Sequence, residues 1–136
     1  MNGSRETVIT SPQNDKAKAW ASLQHKKHRE RAGAFLAEGV HLVQEALASG
    51  ETLEAIVYDA SRGWPAELDR DRAAAVAGDI VQASPAVMAK CADTDTPPPV
   101  FAVVRKRAIA PDELLRADGF VVVLDGLRDP GNVGTI

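Results

Sequence analysis

Apolar positions along the chain fall into short runs separated by polar stretches that carry Gly, Pro, Ser or Asn, and the period of each run predicts its element. Residues 1–14 hold Ser, Thr, Pro and Asn without clear periodicity and read as an extended or mobile arm. Asp15 is placed to cap a helix running through Trp20 and Leu23 to about Arg31, with Gly33 as its stop. Phe35-Leu36-Ala37 predicts a short strand and Glu38-Gly39 a turn. Residues 40–48 then predict a helix with Val40, Val43 and Leu47 on one face, closed by Ser49-Gly50, and residues 53–58 predict the next strand. Strand, helix and strand in that order point to a βαβ unit with parallel pairing, because a helical crossover is the usual link between parallel strands.

Residues 61–78 are polar and Ala-rich, and predict a helix with Pro65 near its start. Ile80-Val81 reads as a short strand, and Ser84-Pro85 starts another helix, with Ser84 as cap and Pro85 at its first position, reaching Cys91 or Ala92. A loop rich in Thr, Asp and Pro covers residues 93–99, and residues 100–104 form a further strand. Residues 105–118 are polar, contain Pro111 and hold one short helix around 113–116, as a connector between domains would. Phe120-Val121-Val122-Val123-Leu124 is a continuous apolar run of the sort found in a strand buried on both faces of a parallel sheet. Such a strand needs cover, so the natural protein is expected to continue beyond Ile136.

Composition narrows the class. A chain of 136 residues with 45% apolar content is long enough for one compact domain plus the first strand of another, and with aromatics at 4% the core is aliphatic helix-on-sheet packing, an α/β fold. The run from Phe120 to Leu124 is far shorter than the roughly 20 residues a membrane span needs, so no membrane partner and a cytoplasmic location are expected. Cys91 is the only cysteine and has no partner for a disulfide or a thiolate metal site.

The net charge of −3 argues against a generic nucleic-acid binder, but its distribution argues the other way. Between Lys16 and Arg31 stand Lys16, Lys18, Lys26, Lys27, Arg29 and Arg31 against Glu30 alone, so this segment is +5 and the remainder −8. That asymmetry gathers positive potential on one face; a merely solvated helix face is the competing reading. His25 and His28 share a helix face at i and i+3, but their neighbours are cations and no carboxylate or thiol converges in sequence, so no metal site is assigned. Trp20, at helical spacing with Leu23, is expected in the core.

After the apolar run comes Asp125-Gly126-Leu127-Arg128-Asp129-Pro130-Gly131-Asn132-Val133-Gly134-Thr135-Ile136, a glycine-rich loop and a helix start. Ligands bind at such carboxyl ends of strands in α/β proteins. A phosphate-binding P-loop is excluded because Asn132-Val133 follow Gly131 where Lys and Ser or Thr are required, and the glycine spacing is not the dinucleotide fingerprint.

The string from Val123 to Ile136 resembles the first motif of the SpoU (TrmH-like) branch of SPOUT RNA methyltransferases. Ile9-Thr-Ser-Pro-Gln-Asn14, the basic helix, Phe35-Leu-Ala-Glu-Gly-Val40 and Asp93-Thr-Asp-Thr-Pro97 followed by Val100-Phe-Ala-Val-Val104 are similar to the substrate-binding domain that precedes the catalytic domain in that family. The resemblance implies a three-layer α/β/α, ribosomal-protein-like RNA-binding domain over residues 15–106 after the arm at 1–14, a linker at 107–119, and the first strand of a truncated trefoil-knot domain at 120–136. It implies methyl transfer from S-adenosylmethionine to a ribose 2′-hydroxyl, with ribosomal RNA as the expected substrate and a homodimer formed through the knot domain. Asn132 matches the catalytic Asn of the first motif, whereas the partner Arg would follow Ile136 and the cofactor pocket is expected in later motifs, so this chain by itself is expected to be inactive. Lys26, Lys27, Arg29 and Arg31 become phosphate contacts, and Glu38 either faces RNA or supports the next helix. One departure is Pro98-Pro99 after Pro97, where the family commonly has Gln-Gly; a stiff loop without those backbone donors puts a main-chain RNA contact there in doubt. A non-enzymatic RNA-binding protein of ribosomal-protein-like fold is the alternative, and a nucleotide-binding α/β domain the weaker third.

Overall fold

The computed structural model describes residues 5–92, 94–116 and 118–136. Five strands, β1 (Arg5–Ile9), β2 (Ala34–Glu38), β3 (Leu53–Asp59), β4 (Ala77–Ala83) and β5 (Val100–Arg105), form one sheet in the order β1-β4-β3-β5-β2. The helices are α1 (Asp15–Ser22), α2 (Lys26–Ala32), α3 (Val40–Ala48), α4 (Arg70–Val76), α5 (Pro85–Cys91), α6 (Pro111–Leu115) and α7 (Pro130–Thr135). The sheet is covered on both sides, which is the three-layer α/β/α architecture the family resemblance implies.

Strand β5 shows why both faces must be covered. Val100 to Val104 are all buried, and the period of two sends Phe101 and Val103 into one core, Val100, Ala102 and Val104 into the other. Ala17, Trp20 and Leu23 from the α1 region, with Val87, Met88 and Cys91 from α5, close the first core, where Trp20 meets Phe101 edge-on at 5.9 Å. Val43, Ala46 and Leu47 from α3 and Ala73 from α4 close the second. Trp20 is thus a core residue, as its spacing with Leu23 predicts.

Several local expectations are revised. The N-terminal segment is not a loose arm: Arg5–Ile9 pair in parallel with β4 as an edge strand. Its anchor is a polar cluster that no local pattern exposes, in which the Tyr58 hydroxyl donates to Glu6 at 2.8 Å and Arg70 pairs with the same carboxylate at 3.0 Å while lying over the Trp64 ring. Strands β2 and β3 run in the same direction but do not pair, because β5 inserts between them antiparallel to both. A five-residue buried run needs a neighbour on each edge, and a βαβ reading cannot see a strand that arrives later in the chain. The helix expected from Pro65 starts only at Arg70, with Asp69 accepting from Arg72 N at 3.0 Å; Pro65 instead belongs to a turn whose carbonyl accepts from Leu68.

Helix α5 follows its sequence reading closely, with Ser84 Oγ accepting from Val87 N at 3.3 Å and Pro85 at the first position. The run Phe120 to Leu124 makes no ladder with the sheet and is exposed along its whole length, so the covering layer expected for it is absent among the described residues. Asp93, in the expected loop, lies outside the described residues. No helix among the described residues is long and apolar enough to cross a membrane.

Candidate nucleic-acid interface

The basic helix expected over residues 15–31 is two helices. Asn14, not Asp15, caps the first, its side chain accepting from Lys16 N at 2.9 Å. Helix α1 ends at Ser22 because Leu23 turns into the core and Gln24 is held elsewhere, its amide donating to Ala92 O at 2.8 Å beyond the end of α5. A helix end leaves carbonyls without partners. Arg29, one turn into α2, reaches back and donates through Nη1 to Leu23 O at 3.0 Å and Gln24 O at 2.7 Å. One of the four cations assigned to phosphate contact is therefore also a bracket for the break between the helices. A pattern of periods cannot show this, although an Arg five or six residues beyond a buried Leu is the kind of residue that can make such a return.

The other three are placed differently. Lys26 pairs with Glu30 at 3.7 Å, while Lys27 and Arg31 are exposed on the same short helix. Gly33 ends α2 in the left-handed conformation at φ 63°, its N–H donating to Arg29 O. Its carbonyl accepts from Lys106 N at 2.7 Å, so the basic run Arg105-Lys106-Arg107 is drawn to the C-terminal end of α2. Sequence reading placed that run in the connector; its contribution to the basic edge was missed, and three consecutive cations after a strand were the available signal. Arg105 is engaged by Glu54, leaving Lys106 and Arg107 as exposed additions to the cations of α2.

Between the α1–α2 break and the free edge of β2 lies an open groove of about 460 Å³, lined by Leu23, Gln24, Arg29, Phe35, Leu36, Glu38 and Lys106. The structure thus brings Arg29 and Glu38 together in one groove and adds Lys106. Its floor is apolar and its charged groups are of both signs. A second groove, of about 350 Å³, lies on the opposite side of β2 against α3 and is mostly apolar, with Leu42, Ala46 and Val104 among its lining.

Asn132 does not line either groove; it is exposed on α7, a six-residue helix capped by Asp129, whose carboxylate accepts from Gly131 N at 2.9 Å. The cap of α7 is therefore Asp129 and not Asn132. His25 precedes α2 without a side-chain cap bond, its ring 6.1 Å from that of His28, and among the described residues no three His, Cys, Asp or Glu side chains converge to hold a metal. Cys91 is buried, which pushes its thiol up to about 11 and keeps it a protonated core residue.

Residues 14–102 match the family model described as the MRM3-like substrate binding domain. Among curated relatives, the chain is 35% identical over 129 residues to the 23S rRNA (guanosine(2553)-2′-O)-methyltransferase RlmP of Bacillus subtilis (strain 168), covering 94% of this chain and 48% of that protein. Among solved structures, it is similar to an RNA 2′-O ribose methyltransferase, with 29% identity and a TM-score of 0.69 over 94% of this chain and 49% of the other. It is also similar to an AdoMet-bound rRNA methyltransferase from Sinorhizobium meliloti, with 27% identity and a TM-score of 0.62 over 75% of this chain and 37% of that one. The chain spans about half the length of the curated relatives it matches. With the family model matched across more than half of its residues, the chain belongs to the MRM3-like substrate-binding domain family, found in SpoU/TrmH-type RNA methyltransferases.

Proposed function

We propose that this chain is the RNA-recognition part of an rRNA 2′-O-ribose methyltransferase, and that the basic edge formed by α2 and Lys106-Arg107 carries the contact to the RNA backbone. The observation that supports this most is the bond from Lys106 N to Gly33 O, which joins two basic segments more than seventy residues apart in sequence into one edge. Cations gathered on one edge of an otherwise acidic protein create a local field that attracts phosphate while leaving the remaining surface repulsive to it, so the orientation of the bound RNA is set as well as its affinity. Methylation of a 2′-hydroxyl requires RNA rather than DNA, because only RNA carries that group. A ribosomal substrate supports a cytoplasmic location.

S-adenosylmethionine would supply the methyl group in the whole enzyme. Every described residue from 118 to 136 is exposed, and exposed residues provide no walls to hold a cofactor against a ribose. These residues alone do not fit the cofactor. We assign the cofactor pocket, the homodimer contact and the partner of Asn132 to the portion of the relatives that this chain does not span.

The test is the salt dependence of binding to a structured fragment of large-subunit rRNA. Replacing Lys26, Lys27, Arg31 and Lys106 by Gln, with Arg29 left in place to hold the fold, is expected to weaken binding. It should also flatten the slope of log affinity against log salt by up to about 3.6, at roughly 0.7 to 0.9 per phosphate contact. An unchanged affinity and slope would remove the basic edge from the interface.

A further inference from the structure

Resting on the RNA-binding reading, we infer that the groove between the α1–α2 break and β2 is a subsite for one unpaired nucleobase, and that its charged groups select guanine. The volume, about 460 Å³, is of the size that small-molecule sites occupy and is ample for a base with its sugar. Leu23 and Leu36 give it an apolar floor, which suits the face of a base and not a phosphate. The phosphate-binding edge lies alongside, since Lys106 belongs to both.

Selectivity follows from two of the three charged groups that line the groove, Glu38 and Arg29. Glu38 ends β2 and is half-buried, and a carboxylate offers about four acceptor positions, enough to take two donors from a ligand besides any internal bond. Guanine presents two adjacent donors, N1–H and the 2-amino group, to one carboxylate. Adenine and cytosine present a single amino group there, and uracil a single N3–H. Arg29 spends its Nη1 on the carbonyls of Leu23 and Gln24, which fixes the guanidinium in the groove wall. Among the described residues its Nη2 and Nε hydrogens have no hydrogen-bond partner, and they are complementary to O6 and N7 on the adjacent Hoogsteen edge of guanine. A carboxylate facing two adjacent donors and a guanidinium facing two acceptors is the pattern of guanine, whereas uracil offers the carboxylate one donor only. Anchoring by bonds to the protein's own backbone also means that Arg29 loses little freedom when the base arrives.

The experiment is fluorescence anisotropy of the full 136-residue chain with a labelled RNA hairpin whose loop carries one unpaired position, filled by G, A, C, U, inosine or an abasic site. Guanine is expected to bind at least about fivefold tighter than the other three bases, the lower end of what one bidentate base contact supplies. Inosine, which lacks the 2-amino group, should lose most of that advantage without any change to the protein. Glu38→Gln should abolish the guanine preference, bringing the guanine hairpin down to the affinity of the adenine one. If no hairpin binds, the RNA-binding reading itself fails. If all hairpins bind alike, the abasic one included, RNA is held by its backbone only and the base subsite is overturned. A guanine preference that survives both inosine and Glu38→Gln would overturn the assignment to this groove.

Discussion

Nη1 of Arg29 donates to the carbonyl oxygen of Gln24 at 2.7 Å, and through this bond the most basic helix of the chain is tied to the helix before it. The same nitrogen also serves Leu23 O, so a single side chain satisfies two carbonyls exposed by the break. Arg29→Ala is therefore expected to lower stability by about 1–3 kcal/mol, the cost of leaving part-buried carbonyls without a charged donor. Lys27→Ala and Arg31→Ala, exposed on the same helix, should stay within about 0.5 kcal/mol of the parent. Urea denaturation of the three variants decides it: equal midpoints would show that Arg29 has no bracing role.

The Glu6 carboxyl is held below the usual carboxylate value of 4.5, because the Tyr58 hydroxyl and then the Arg70 guanidinium donate to it. A carboxylate with a depressed folded value binds protons more readily when unfolded. Its stabilising contribution is therefore complete above the unfolded value and is lost as pH falls through the folded one. The parent should lose more thermal stability than Glu6→Gln as pH drops from about 5 to about 3. Parallel Tm profiles of the two would show that this cluster does not hold β1 in place.

Strand β3 carries a register shift between Leu53 and Ala55, and Glu54 O presses against β4 at Gly78, where an added Cβ would lie 2.8 Å from it. Backbone, unlike a flexible side-chain tip, cannot step aside cheaply. Gly78→Ala should destabilise the chain by about 1–3 kcal/mol, as overpacking in a close-packed region does. A denaturation midpoint equal to the parent's would mean that the two strands separate there without cost.

Burial pushes the Cys91 thiol to about 11, so thiolate is scarce at neutral pH and reagents lack access. Ellman's reagent should react with the folded protein far more slowly than with protein in denaturant. Comparable rates would show the α5 face of the core to be open.

What the sequence made legible was whatever depends on neighbours in the chain. Ser84-Pro85 at the start of α5, Gly33 at the end of α2, and the alternation through Val100 to Val104 were all readable, because capping and period are local. What it hid depends on distant partners. The strand at Arg5–Ile9 has no apolar period and exists because β4 offers an edge and because Tyr58 and Arg70 bind Glu6. The insertion of β5 between β2 and β3 is a decision made by the whole sheet. At the interface, the charge run from Lys26 to Arg31 was visible, whereas the groove joining Arg29, Glu38 and Lys106 arises only when the end of β5 meets Gly33.

Amide chemical-shift mapping of the isotope-labelled chain during titration with a large-subunit rRNA fragment tests the central claim most directly, since it asks which face receives RNA. The account predicts that changes concentrate at residues 24–38 and 105–107, along α2, the free edge of β2 and the end of β5. Changes concentrated instead on α3 and α4, across the opposite side of the sheet, would contradict it.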